Sequence, residues 1–172
     1  VKKRKRTNLR RGFSLVEAAM AIAIVGVSFV ALMQLWAVCV QQNRIASDVT
    51  TAFMLAEQIQ ELTAPLPLND PATGFMGFGT ELAETIDTFD DIDDFDGQSF
   101  NPPIDAARQP LNELSAYTQR VTVVPVNGTD LDGNLNGLAI SKSTYTGAMR
   151  VTVSIERDGR EAARLSWIRV DR

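Results

Sequence analysis

Residues 18 to 43 are 26 consecutive residues without a formal charge, bounded by Glu17 and Arg44, and residues 18–40 are almost wholly apolar. About 20 such residues in a helix cross a bilayer core of ~30 Å, so this stretch is expected to span a membrane. Ser28 and Gln34 interrupt it mildly, because a Ser can bond back to its own helix backbone. Residues 1–12 hold seven of the 17 basic residues (Lys2, Lys3, Arg4, Lys5, Arg6, Arg10, Arg11) and no acid, which leaves ten bases against 21 acids in the other 160 residues. Basic flanks stay in the cytoplasm. Residues 1–12 are therefore expected inside and everything after about residue 41 outside. A nucleic-acid binder carries its basic face on the folded body; here the bases form a terminal tag, and no nucleic-acid partner is expected. With no His and one Cys, His-based catalysis, an intramolecular disulfide and Cys/His zinc sites are excluded.

Three simple membrane readings compete. A secretory signal has a shorter apolar core and a small-residue exit site. A lipoprotein signal needs a small residue just before its Cys, but Cys39 follows Trp36-Ala37-Val38. A plain signal anchor fits the length and topology and leaves Glu17 unexplained. A carboxylate at the bilayer centre costs ~2.5–3.5 kcal/mol on insertion scales, so such a group normally has a partner.

The segment Arg11-Gly12-Phe13-Ser14-Leu15-Val16-Glu17, with a basic tag before it and an apolar helix after it, resembles the class III signal of type IV pilins and type II secretion pseudopilins. The resemblance implies that a membrane-embedded prepilin peptidase cuts after Gly12 and methylates the new amino terminus at Phe13. It also implies that Glu17 faces the terminal amine of a neighbouring subunit in a filament. Four helical residues advance ~6 Å, so Glu17 meets a neighbour's Phe13 only after an axial stagger. That pairing would relieve a buried charge and set register.

Beyond the span, Ile45, Val49, Phe53, Ala56, Ile59 and Thr63 follow steps of three or four, broadened by Leu55 and Leu62, with a polar face opposite. Pro65 and Pro67 forbid continuation. One helix over about residues 13–63 is predicted, its 13–40 half transmembrane and its 41–64 half amphipathic. Gly26 reads as a small residue for close helix packing. Cys39 reads as a buried, inert thiol, with palmitoylation and intersubunit pairing as alternatives.

Residues 65–112 read as an irregular, acidic connecting region rich in Pro and Gly, with eight acids and no base in residues 81–96 and Phe89, Phe95 and Phe100 interleaved or close by. The block from Phe89 to Gly97, followed by Pro102-Pro103, resembles minor pilins of the mannose-sensitive haemagglutinin or PilV-like kind. Residues 113–172 are predicted as antiparallel sheet. Val121 and Val123 share one face of a strand over residues 117–126. Met149, Val151, Val153 and Ile155 alternate with Arg150, Thr152, Ser154 and Glu156. Arg157-Asp158-Gly159-Arg160 is a hairpin turn leading to a strand over residues 161–170. The fold class expected is α+β and pilin-like: a long N-terminal helix packed on a small antiparallel sheet.

Asp132-Gly133-Asn134-Leu135-Asn136-Gly137 matches the opening half of an EF-hand loop, but the closing acid would fall on Ser143. A Gly/Asn-rich turn is the favoured reading, and a weak non-EF calcium site using Asp130, Asp132 and Asn134 is the alternative. The acids of residues 87–96 are a second cation candidate, set against a solvated acidic face. No other cofactor is expected. Paired carboxylates for glycoside chemistry would need a shaped cleft, for which the exported part has little room, and no catalytic residue is assigned. The expectation is thus a minor pilin-like structural subunit in the inner membrane and then in an extracytoplasmic filament, with other pilins and the peptidase as partners. A type II secretion pseudopilin is the near alternative, and a signal-anchored periplasmic binding module that never polymerises is the rival of another class.

Overall fold

No proline interrupts residues 13–63, and the helix predicted there is continuous: α1 spans Leu15–Thr63. The computed structural model describes residues 13–71, 78–81, 84–127, 131, 134–135, 138–142, 144 and 146–171. The chain divides into two compact units, Val1–Ile45 and Ala46–Arg172, and α1 contributes to both. In the first unit every described residue is exposed, and the helix is long and apolar enough to cross a membrane. Ser28 Oγ donates to the Ile24 carbonyl at 2.8 Å, as a Ser inside an apolar helix is expected to do.

In the second unit, α1 turns Ala52, Leu55, Ala56, Ile59, Leu62 and Thr63 inward. This differs from the expected stripe, since Phe53 is 44% exposed. At 3.6 residues per turn Phe53 lies about 120° around the helix from Ile59, so stepping by four from residue 45 walks off the buried face. The buried side chains meet a four-stranded antiparallel sheet of order β1-β2-β5-β6. Its strands are β1 (Ser99–Phe100), β2 (Tyr117–Pro125), β5 (Ala148–Arg157) and β6 (Arg160–Val170), while β3 (Asn134–Leu135) and β4 (Leu138–Ala139) pair separately.

The strand alternation fell where the side chains predicted it. Val121 and Val123 on β2 and Met149, Val151, Val153 and Ile155 on β5 are buried, with Val121 opposite Val153 and Val123 opposite Val151. One inward position breaks the apolar pattern: Gln119 is 0% exposed. On β6, Leu165 and Trp167 pack against the core, whereas Ile168 and Val170 point the other way and are exposed.

The connecting region supplies more structure than its composition suggests. It contributes β1, a 3-10 turn at Asp93–Phe95 and a bridge between Ile104 and Pro110. Leu68, Phe89, Ile92, Phe95 and Ile104 are buried in the same core as the helix and sheet, and Phe89 and Phe95 meet edge to face at 5.2 Å. A segment of this length without long elements is held by its own apolar side chains.

Candidate functional site

The expected processing and assembly residues sit at the start of α1. Gly12 lies outside the described residues. Phe13 is 75% exposed. Ser14 caps the helix: its carbonyl accepts from Ala18 N–H at 3.1 Å and its Oγ from Glu17 N–H at 3.2 Å. Glu17 is the acid of the first turn. Its charge there complements the positive end of the helix dipole, and Ser14 and Glu17 stand at capping-box spacing. Glu17 therefore has a local structural use beyond the intersubunit one that the resemblance implies.

Along the rest of the span the chain offers a bare apolar surface. Leu15, Ile22, Val27 and Trp36 are each more than 65% exposed. A Cβ placed on Gly26 would meet nothing within 4 Å, so the helix has a notch where another backbone can approach closely. Cys39 is exposed on this surface, not buried as expected.

Of the weak calcium candidates, Asp130 and Asp132 lie outside the described residues. The backbone of Asn134 opens β3, which pairs with β4 in the register Asn134 to Ala139 and Leu135 to Leu138; its side chain also lies outside what is described.

The acids of residues 87–96 are only partly a solvated face, and here the expectation is corrected: Asp87 and Asp90 are exposed, but three of their neighbours are not. Asp91, Asp93 and Asp94 are only 2%, 3% and 1% exposed, because the apolar anchors Phe89, Ile92 and Phe95 draw the backbone between them into the core. Asp91 and Asp94 cap each other's backbone. Asp94 N–H donates to Asp91 Oδ1 at 3.2 Å, and Asp94 Oδ2 accepts from the N–H groups of Asp90 and Asp91 at 3.0 and 3.3 Å. Asp93 Oδ2 accepts from Gly79 N–H at 3.0 Å, and Thr80 Oγ1 donates to the Asp94 carbonyl at 3.1 Å. These bonds bring residues 79–81 onto the 3-10 turn. Glu81, Glu84 and Asp94 then each place a carboxylate oxygen within 4.8 Å of the other two. Glu84 Oε2 accepts from Glu81 N–H at 3.2 Å. Glu81 Oε2 and Asp94 Oδ1 are buried and have no donor.

Electrostatics follow from that crowding. Burial, and then the adjoining Glu84 carboxyl and the charge of Asp94, push Glu81 up to about 7. Burial, with Glu84 again adding to it, pushes Asp94 up to about 6 even though two backbone N–H groups oppose the rise. Asp91 is pushed up to about 9 by burial and by its neighbour Asp93. Asp90 rises through burial and the charges of Asp70 and Glu84. The cations of the surrounding segments are engaged elsewhere. Arg108 donates to the carbonyls of Ile86 and Phe89 at 2.8 and 2.6 Å, and Lys142 pairs with Asp96. A trio of facing carboxylates in such a setting binds either protons or a cation.

The cation candidate that the sequence offers at residues 87–96 leaves out Glu81 and Glu84. What carries them in is the pair of side chain–backbone bonds from residues 79–80 to the turn, which sequence spacing does not encode. The interleaved Phe89, Ile92 and Phe95 were the available signal that this acidic stretch is tied down. No protein-family model, curated protein or solved structure matches the chain.

Proposed function

We propose that the chain is a minor subunit of a type IV pilus-like or pseudopilus filament, with a structural and not a catalytic role. It is made as a single-span inner-membrane protein with residues 1–12 on the cytoplasmic side. Prepilin peptidase cuts it after Gly12 and methylates Phe13, and the span then passes from lipid into a bundle of like helices. The observation that carries this reading is the exposed apolar helix that begins two residues after the Gly-Phe step, with Glu17 as the one acid ahead of Asp48. A helix apolar on every side needs a cover of lipid or of other helices. Lipid tails are as apolar as leucine, so helix association rests on close packing and on satisfying polar groups. Gly26 supports the first requirement, and Glu17 paired with a neighbour's Phe13 amine would meet the second.

Intact-mass measurement of the membrane and sheared-filament protein from peptidase-positive and peptidase-null cells tests the proposal. The expected product begins at Phe13 with one added methyl group and occurs only in the peptidase-positive cells. A mature protein that keeps the residues ahead of Phe13 in both strains would identify a non-polymerising anchor instead.

A further inference from the structure

We infer that Glu81, Glu84 and Asp94 form a calcium site that ties the connecting region to the start of its 3-10 turn. Three carboxylate oxygens, one from each, stand within 4.8 Å of one another, a spacing that a single divalent ion bridges. The trio alone could be chance crowding; the state of Asp94 argues otherwise. This side chain is 1% exposed and fixed through Oδ2 by two backbone N–H groups, while Oδ1 remains buried without a donor. Glu81 Oε2 is buried and without a donor as well. Leaving such oxygens unmatched costs more than a hydrogen bond gains, and a cation satisfies both at once.

The donors are all hard oxygens. The chain has no His, and its one Cys lies in the other unit, so soft-metal chemistry has no ligands here. An irregular loop that supplies three carboxylates suits the variable six-to-eight oxygen shell of calcium better than the strict octahedron of magnesium, with water or carbonyl oxygens completing the shell. This site is separate from the candidate loop at residues 130–134, and it does not depend on whether the chain enters a filament.

The test is calorimetric titration of Ca2+ into the full-length, chelator-treated protein in detergent micelles, with thermal unfolding followed in parallel. One saturable site per chain is expected, with Kd between about 10⁻⁶ and 10⁻³ M, together with a calcium-dependent rise in Tm. Glu84→Gln, on a half-buried side chain, should weaken binding by roughly tenfold or more without unfolding the domain, and Glu81→Gln should behave likewise. Asp132→Asn should leave binding unchanged. The assignment is overturned if the wild type takes up no calcium to millimolar concentration. It is equally overturned if Mg2+ saturates the site as tightly as Ca2+, or if Asp132→Asn abolishes uptake while the two Glu variants retain it.

Discussion

The side-chain amide of Gln119 donates to the backbone carbonyl of Leu55 at 2.9 Å, joining strand β2 to the C-terminal part of the helix from inside the core. The same Nε2 donates to the Ile104 carbonyl at 3.0 Å, and Oε1 accepts from Ile104 N–H at 2.8 Å. One buried polar side chain thus holds helix, sheet and connecting region in fixed relation. Gln119→Leu keeps the bulk but orphans both backbone groups of Ile104, so it is expected to destabilise the domain by about 2–4 kcal/mol. Denaturant unfolding followed by Trp167 fluorescence in a Trp36→Phe background measures this. Gln109→Leu, at an exposed position, should stay within about 0.5 kcal/mol of the parent.

The last turn of α1 contains no basic residue, and Arg169 on β6 supplies the missing cation. Its guanidinium donates to the carbonyls of Thr63 at 3.4 Å and Leu66 at 3.1 Å, and also to that of Ala64. Thr63 is the last residue of the helix and Ala64 and Leu66 follow it, so the guanidinium sits at the negative end of the helix dipole. Arg169→Ala is expected to cost about 1–2 kcal/mol. It should speed amide exchange in residues 60–66 while leaving the centre of β5 protected. Arg169→Lys should recover less than half of the loss, because a point charge cannot reach several carbonyls as a planar fork does.

Much of this architecture could be read from the residues, and the parts that could not share a cause. The absence of proline before Pro65 marks the helix, the strict alternation from Met149 to Glu156 marks β5, and both depend only on neighbours along the chain. Gln119 occupies an inward position between Tyr117 and Val121, so its burial follows from the two-residue period. Its partners Leu55 and Ile104 are distant in sequence and carry no matching signal. The acids behave similarly. Asp91 and Asp94 stand at a spacing that allows mutual capping, whereas the approach of Glu81 and Glu84 depends on Gly79 and Thr80 reaching across 14 residues to the turn. At the other end of the chain, the Ser14–Glu17 cap is local, and the partner of the Glu17 charge would be a residue of another molecule.

The β5–β6 hairpin turns on two residues with positive φ, Asp158 at 50° and Gly159 at 75°, as a two-residue turn matched to strand twist requires. A Cβ on Gly159 would meet nothing within 4 Å, so any penalty there comes from the backbone alone. Gly159→Ala is expected to lower stability by about 1–2 kcal/mol. Asp158→Asn should be neutral or slightly stabilising, because Asn tolerates this conformation and the exposed carboxylate it replaces lies 3.8 Å from Arg157 in a contact worth little. Thermal melts of the two variants beside the parent separate backbone strain from lost charge.

Ser14 and Glu17 allow the helix cap to be separated from subunit assembly. Ser14→Ala removes the Oγ that accepts from Glu17 N–H, a loss of about 1 kcal/mol confined to the first turn, and keeps the carboxylate. Glu17→Gln keeps the cap and most of the side-chain shape but removes the charge. If the carboxylate neutralises a neighbour's amine inside a helical bundle, losing it leaves that amine buried and unpaired at about 3–5 kcal/mol per contact. That is ample for a tenfold or greater fall in incorporation. Immunoblots of sheared filaments against membranes should therefore show Ser14→Ala near parental incorporation, and Glu17→Gln held in the membrane at normal abundance. Equal incorporation of the two variants would reduce Glu17 to a first-turn acid with no role between subunits.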